Sequence, residues 1–155
     1  MSKLRSEIKQ QKPFASLAEE TLLNLVRTAG HVEAAQADLL AGYGLTPAQY
    51  NVLRILRGAG PDGHPCQEIG ARMVSRVPDV TRIIDRLEAA QLVARSRGTA
   101  DRRVVFVRIQ KRALTLLGQL DKPMTDLPRR LFGPLEPRDL QTLNDLLVRA
   151  RDPAD

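Results

Sequence analysis

Val80-Thr81-Arg82-Ile83-Ile84-Asp85-Arg86-Leu87-Glu88 is the stretch on which the fold turns. Val80, Ile83, Ile84 and Leu87 recur at i, i+3, i+4 and i+7, the spacing of one buried helical stripe. At about 100° per residue, Arg82 and Arg86 fall together on the opposite face, with Asp79 and Asp85 beside them. Upstream, Gln67 to Met73 puts Ile69 and Met73 on one face of a short helix, and Ala71 leaves room for close helix contact. Val74 to Val77 is a turn, and Pro78 limits where the next helix starts, because its missing N–H is tolerated only in a first turn. Downstream, Val105, Val107 and Ile109 alternate with Phe106 and Arg108, a strand pattern over Val104 to Ile109. Paired with Leu92 to Arg95, this run makes a hairpin whose long tip holds Arg97, Asp101, Arg102 and Arg103.

Two short helices followed by a hairpin with a basic tip outline a winged helix-turn-helix. The expected fold class is mainly α, with one small β-hairpin. Charge points the same way. The chain carries a formal +6 and a pI of about 10.1, which suits an anionic partner. Between Arg72 and Arg112 there are eleven basic residues and four acidic ones, so this segment carries +7 and the rest of the chain −1. Arg heavily outnumbers Lys, and its planar fork suits guanine edges and phosphate. Aromatic residues make up 3% and Trp is absent, which argues against a stacking platform for single strands.

At 155 residues the chain is read as one domain over 16–155, preceded by a polar, flexible arm over 1–15. Ser16-Leu17-Ala18-Glu19 has the pattern of a capping box. The helix it opens, with Leu22, Leu25, Val26, Ala29, Val32, Leu39 and Leu40 at helical spacing, runs to about Ala41 and stops at Gly42-Tyr43-Gly44. It is too long for one small core to cover, so part of it should meet another surface. Thr46-Pro47-Ala48-Gln49 opens a second helix that Gly58 ends, and Gly58 to Pro65 reads as a turn-rich loop. Lys111 to about Leu131 reads as helix, with a kink or break near Lys122 because of Pro123 and Pro128. Pro137 to Ala150 is a last amphipathic helix.

Over roughly residues 16–150 the chain resembles the MarR family of bacterial transcription regulators. The resemblance is carried by Leu45-Thr46-Pro47-Ala48-Gln49 with Val52-Leu53, then Val80-Thr81-Arg82 through Arg86-Leu87-Glu88, then Leu92-Val93 and Asp101-Arg102-Arg103, in that order. It implies a winged-helix homodimer. Helices over about 16–42 and 111–151 would form a dimerisation layer, and residues 46–110 the DNA-binding lobe. It also implies repression relieved by a small-molecule effector of unknown identity. Two positions depart from the family pattern. Gln91 stands where Gly is usual before Leu-Val, and Ile109-Gln110-Lys111-Arg112-Ala113 replaces Leu-Thr-x-x-Gly. Both changes bear on helix capping, each at about 1 kcal/mol.

A major groove admits a helix whose first turns reach base edges. On that approach Arg76, Asp79 and Arg82 are assigned to the base-edge zone, with Thr81 beside them, and Arg86 to phosphate one turn on. Ser75 and Arg76 backbone N–H groups face phosphate at the helix start. Arg97, Arg102 and Arg103 belong to the wing, one of them entering a narrow minor groove; the resemblance makes Asp101 the brace of that wing. Tyr43 and Tyr50, with His31, are candidates for the family's ligand pocket, although core or hinge tyrosines are the commoner case. Two histidines and one cysteine make no metal site, and no cofactor is expected. Cys66 has no partner for an intrachain disulfide and reads as an inert thiol. The sequence lacks a phosphate-binding glycine loop and a nucleophile elbow, so an enzyme is not expected. No apolar run reaches membrane-spanning length and no signal segment appears, so a cytoplasmic protein is expected. The competing expectation is a winged-helix interaction protein that binds RNA or a protein partner through its basic face.

Overall fold

The computed structural model describes residues 2–98 and 103–152. Contacts divide the chain into two compact units, Met1–Tyr50 and Asn51–Asp155.

In the first unit, Ser2 caps a five-residue helix, α1 (Lys3–Glu7), its hydroxyl accepting the Arg5 N–H at 3.3 Å. Leu4 is buried at 3% exposure. This short helix lies within the stretch 1–15 that was expected to be a flexible arm. Five residues are too few for an apolar period, but one cap and one buried leucine hold the turn. Arg27 Nε, 3.0 Å from Glu7 Oε2, ties α1 to α2 (Leu17–Ala41). Ser16 caps α2, accepting from the Glu19 N–H at 3.1 Å. The Glu19 carboxylate reaches back to the Ala15 N–H, one residue beyond an ideal capping box. Of the α2 side chains only Leu40 is buried. Leu17, Leu22, Leu25 and Val26 are 80, 58, 45 and 61% exposed, an apolar stripe left bare. Thr46 and Gln49 then cap each other: Thr46 N–H donates to Gln49 Oε1 at 2.9 Å, and Gln49 N–H to Thr46 Oγ1 at 3.2 Å. They open α3 (Pro47–Ala59).

In the second unit, the rest of α3 leads into a 3-10 turn (Gly60–Asp62), β1 (His64–Pro65), α4 (Cys66–Ala71), α5 (Val80–Ala89), β2 (Val93–Arg97), β3 (Val105–Ile109), α6 (Lys111–Leu131) and α7 (Pro137–Arg151). Val52, Leu53, Leu56, Ile69, Ile84, Leu87, Val107, Leu117 and Leu120 have no exposed surface and form the core. Gly58 does not end α3, which runs on to Ala59.

The sheet has three strands in the order β1-β3-β2, all antiparallel. The two runs expected to form the hairpin do pair, in the register Val93 opposite Ile109 through Arg97 opposite Val105, so β2 extends two residues past the expected Arg95 and takes in Arg97, which was expected in the tip. The third strand was read as loop. Two residues carry no alternation, and their partners, Val107 and Phe106, lie far along the chain. Gly63 permits the approach: its φ is 69°, and a Cβ there would lie 2.1 Å from the Val107 carbonyl oxygen.

Helix α6 is continuous over 21 residues with both Pro123 and Pro128 inside it, so no break occurs at Lys122. An interior proline costs about 3 kcal/mol and removes a hydrogen bond. Burial of Ala113, Leu117, Leu120 and Leu127 on both sides of Pro123 outweighs that cost. Helix α7 leaves Leu143, Leu146 and Val148 exposed at 37, 51 and 54%. Among the described residues no helix is long and apolar enough to cross a membrane.

Candidate nucleic-acid interface

Asp79 sets the start of α5. Its Oδ1 accepts the Arg82 backbone N–H at 2.9 Å, satisfying one of the free donors of the first turn. Pro78 lies just before this cap. The predicted stripe is buried as expected: Ile84 and Leu87 fully, Val80 and Ile83 in part. Gly70 of α4 brings the two helices close, since a Cβ there would lie 3.4 Å from Val80 Cγ2. That leaves Thr81, Arg82, Asp85 and Arg86 on the exposed face. Ser75 and Arg76 are exposed in the turn between α4 and α5. Asn51 of α3 steadies that turn by accepting the Val74 N–H at 2.9 Å on its side-chain oxygen.

At its C-terminal end α5 closes in a Schellman arrangement. Gln91 is left-handed, at φ 58°. Leu92 N–H reaches the Leu87 carbonyl at 2.9 Å and Gln91 N–H the Glu88 carbonyl at 2.9 Å. This turn delivers the chain directly into β2, so the wing and the helix share one rigid joint. The hairpin ladder is extended by Gly98 N–H to the Val104 carbonyl at 2.8 Å. Arg97 ends β2 and is exposed, as is Arg103 at the tip. Asp101 and Arg102 lie outside the described residues.

The basic residues divide into two kinds. Arg72 is paired with Glu68 at 3.1 Å, and Arg108 donates to the Asp62 carbonyl at 3.3 Å, holding β3 to the 3-10 turn. Arg95 lies 2.6 Å from Asp85 and 2.7 Å from Glu88, with its side chain 24% exposed. Burial disfavours its charge, but the hydrogen bonds it donates to Asp85 and Glu88, reinforced by their charges, more than offset this and raise its pKa above the ordinary arginine value. By contrast Arg76, Arg82, Arg86 and Arg97 have no side-chain ion pair among the described residues and stand exposed. They make a surface whose positive charge is not internally neutralised, on α5, the turn before it and the wing strand, the parts expected to read DNA.

Sequence reasoning missed Asn51, the capping role of Asp79 and the whole Arg95 cluster. The acidic pair Asp85 and Glu88, three apart and seven to ten residues before Arg95, was the available signal for the last.

His31, Tyr43 and Tyr50 are the residues suggested for a ligand pocket. His31 is exposed midway along α2, about 15 Å along the axis from the helix end that precedes Tyr43. Tyr43 is half-buried, and Tyr50 is buried at 5% exposure. Cys66 begins α4 and is half-buried.

Comparison with known proteins places this geometry. Residues 45–105 match the model of the MarR family, from two residues before α3 to the first residue of β3. MhqR of Bacillus subtilis, an HTH-type transcriptional regulator, is 32% identical over 107 residues, covering 69% of this chain and 72% of MhqR. A MarR transcription factor from Planctomyces limnophilus is 36% identical, with a TM-score of 0.68 over 87% of this chain and 98% of that one. BpsR of Bordetella bronchiseptica, whose DNA binding is regulated by 6-hydroxynicotinic acid, is 26% identical with a TM-score of 0.75, over 86% of this chain and 99% of its own. The chain belongs to the MarR family of winged-helix, DNA-binding transcriptional regulators and is not an enzyme.

Proposed function

We propose that the chain is a homodimeric repressor that reads a pseudo-palindromic duplex operator and is released by a small ligand. One observation carries the reading: Arg76, Arg82, Arg86 and Arg97 are exposed and unpaired among the described residues, while Arg72, Arg95 and Arg108 are spent on structure. Helix α5 enters the major groove. Arg76 and Arg82 reach base edges, Thr81 lies beside them, and Asp79 offers its second carboxylate oxygen to a cytosine amino group. Arg86 and the Ser75 and Arg76 backbone meet phosphate. The wing, with Arg97, Arg102 and Arg103, enters the minor groove, and Asp101 orients one of those arginines.

A second copy supplies the partner for the bare stripe of α2, where Leu22, Leu25 and Val26 are exposed at 58, 45 and 61%. Helices over 16–42 and 111–151 then serve dimerisation, and residues 46–110 serve DNA. A two-fold dimer places half-site centres about 10 bp apart, one helical turn. The regulation of BpsR by a small aromatic acid supports an effector here, with Tyr43, Tyr50 and His31 as its first candidates.

The test is the salt dependence of duplex binding. Arg102→Ala with Arg103→Ala weakens binding and flattens the plot of log K against log salt by about 0.9 per lost phosphate contact. An unchanged slope removes the wing from the reading. Equal binding of random RNA and duplex would favour an RNA-binding module instead.

A further inference from the structure

We infer that Arg95 is a positioning residue for DNA binding: it locks the wing to the reading helix and thereby sets where Arg97 meets DNA. The inference rests on the DNA-binding reading above.

Four contacts from one strand residue reach one helix. Arg95 Nη1 lies 2.7 Å from Glu88 Oε2 and Nη2 lies 2.6 Å from Asp85 Oδ1. Nη2 also reaches the Thr81 carbonyl at 3.4 Å. The Arg95 backbone N–H donates to Glu88 Oε1 at 3.0 Å. Glu88 thus uses one oxygen on the strand backbone and the other on the guanidinium. Thr81, Asp85 and Glu88, four and three residues apart, form a single row along α5. The clamp therefore fixes β2 against the length of the helix and not against one point on it.

Its position along the hairpin gives it leverage. Arg95 stands opposite Val107, which is fully buried, and side chains of opposed residues share one face, so the middle of the hairpin is anchored on the face that meets α5. Arg97 lies two residues on and points to the same side of the strand, about 7 Å away. Arg95 turns into the helix at the level where Arg97 leaves for solvent. The same clamp occupies Asp85, which is 57% exposed and three residues from Arg82. Released, that carboxylate would compete with phosphate for Arg82. A lysine cannot reproduce the arrangement, because the acceptors are spread across a planar fork.

The test uses the full chain and a labelled duplex carrying its selected binding sequence, with a random duplex as reference. Arg95→Gln, Arg97→Ala and the double variant form a cycle, all measured below their melting temperatures. Arg95→Gln weakens specific binding by about tenfold, and adding Arg97→Ala costs little more, since a misplaced arginine has little left to lose. Arg95→Lys does not restore affinity. Should Arg95→Gln not fold, Glu88→Gln enters the same cycle in its place. Additive losses would mean that the clamp acts only through general stability, and unchanged affinity in Arg95→Gln would mean that it does not act at all; either overturns the inference. An Arg97→Ala variant that binds like the parent chain overturns it too, while leaving duplex binding intact. A parent chain that does not prefer duplex at all defeats the underlying reading instead, before any variant is compared.

Discussion

Replacing Gln91 with glycine should stabilise the protein. Gln91 is one of two non-glycine residues with positive φ among those described, at 58°. The left-handed conformation costs an L-residue about 1–2 kcal/mol, because Cβ crowds the following carbonyl. The Leu92 and Gln91 N–H bonds to Leu87 and Glu88, both 2.9 Å, hold that conformation in place, so the strain is borne in the folded state. Glycine removes it but makes the unfolded chain more flexible, which returns roughly 0.4–1 kcal/mol. The net gain is about 0.5–1 kcal/mol, which for a chain of this size raises Tm by roughly 1–4 °C. Thermal unfolding followed by circular dichroism, at fixed protein concentration, measures it. Gln91→Ala is the control: it keeps the Cβ, and therefore the strain, and should not gain. The side chain of Gln91 is exposed, so lost packing does not confuse the comparison. A glycine variant no more stable than the alanine one would refute the strain argument.

Other outcomes follow from the same geometry. Gln110 precedes α6 without a side-chain cap, so Gln110→Thr should gain up to about 1 kcal/mol in urea unfolding, and no shift in midpoint would mean the N-terminal turn is already satisfied. Asp79→Ala should lose about 1 kcal/mol of stability with the α5 cap, whereas Asp79→Asn should keep most of it; equal losses would show that the cap contributes nothing. Leu25→Glu on the bare face of α2 should shift sedimentation from dimer to monomer while leaving helical content unchanged, and a dimeric variant would move the proposed interface elsewhere.

What the sequence made legible was chiefly what is decided locally. Ser16 and Thr46 announced α2 and α3 because a cap needs only residues three apart. Val80 to Glu88 announced α5 because its stripe is complete within nine residues. Gln91 was suspect because its position demands a conformation that it adopts poorly. Features that depend on distant partners stayed hidden. Strand β1 exists only because Gly63 lets two residues reach β3. Helix α6 passes through two prolines because buried leucines on either side hold it, a tertiary effect that local propensity contradicts. The reading face was assigned by charge segregation, but charge alone could not separate Arg95, committed to Asp85 and Glu88, from the exposed Arg97 two residues later. Only the register of strand against helix makes that distinction.

The account stands most directly on one measurement: selection of bound sequences by the full chain from a random duplex pool at fixed salt. It predicts enrichment of a shared pseudo-palindrome with half-site centres about 10 bp apart, as two readers on one two-fold axis require. A pool that emerges without an enriched sequence would contradict it.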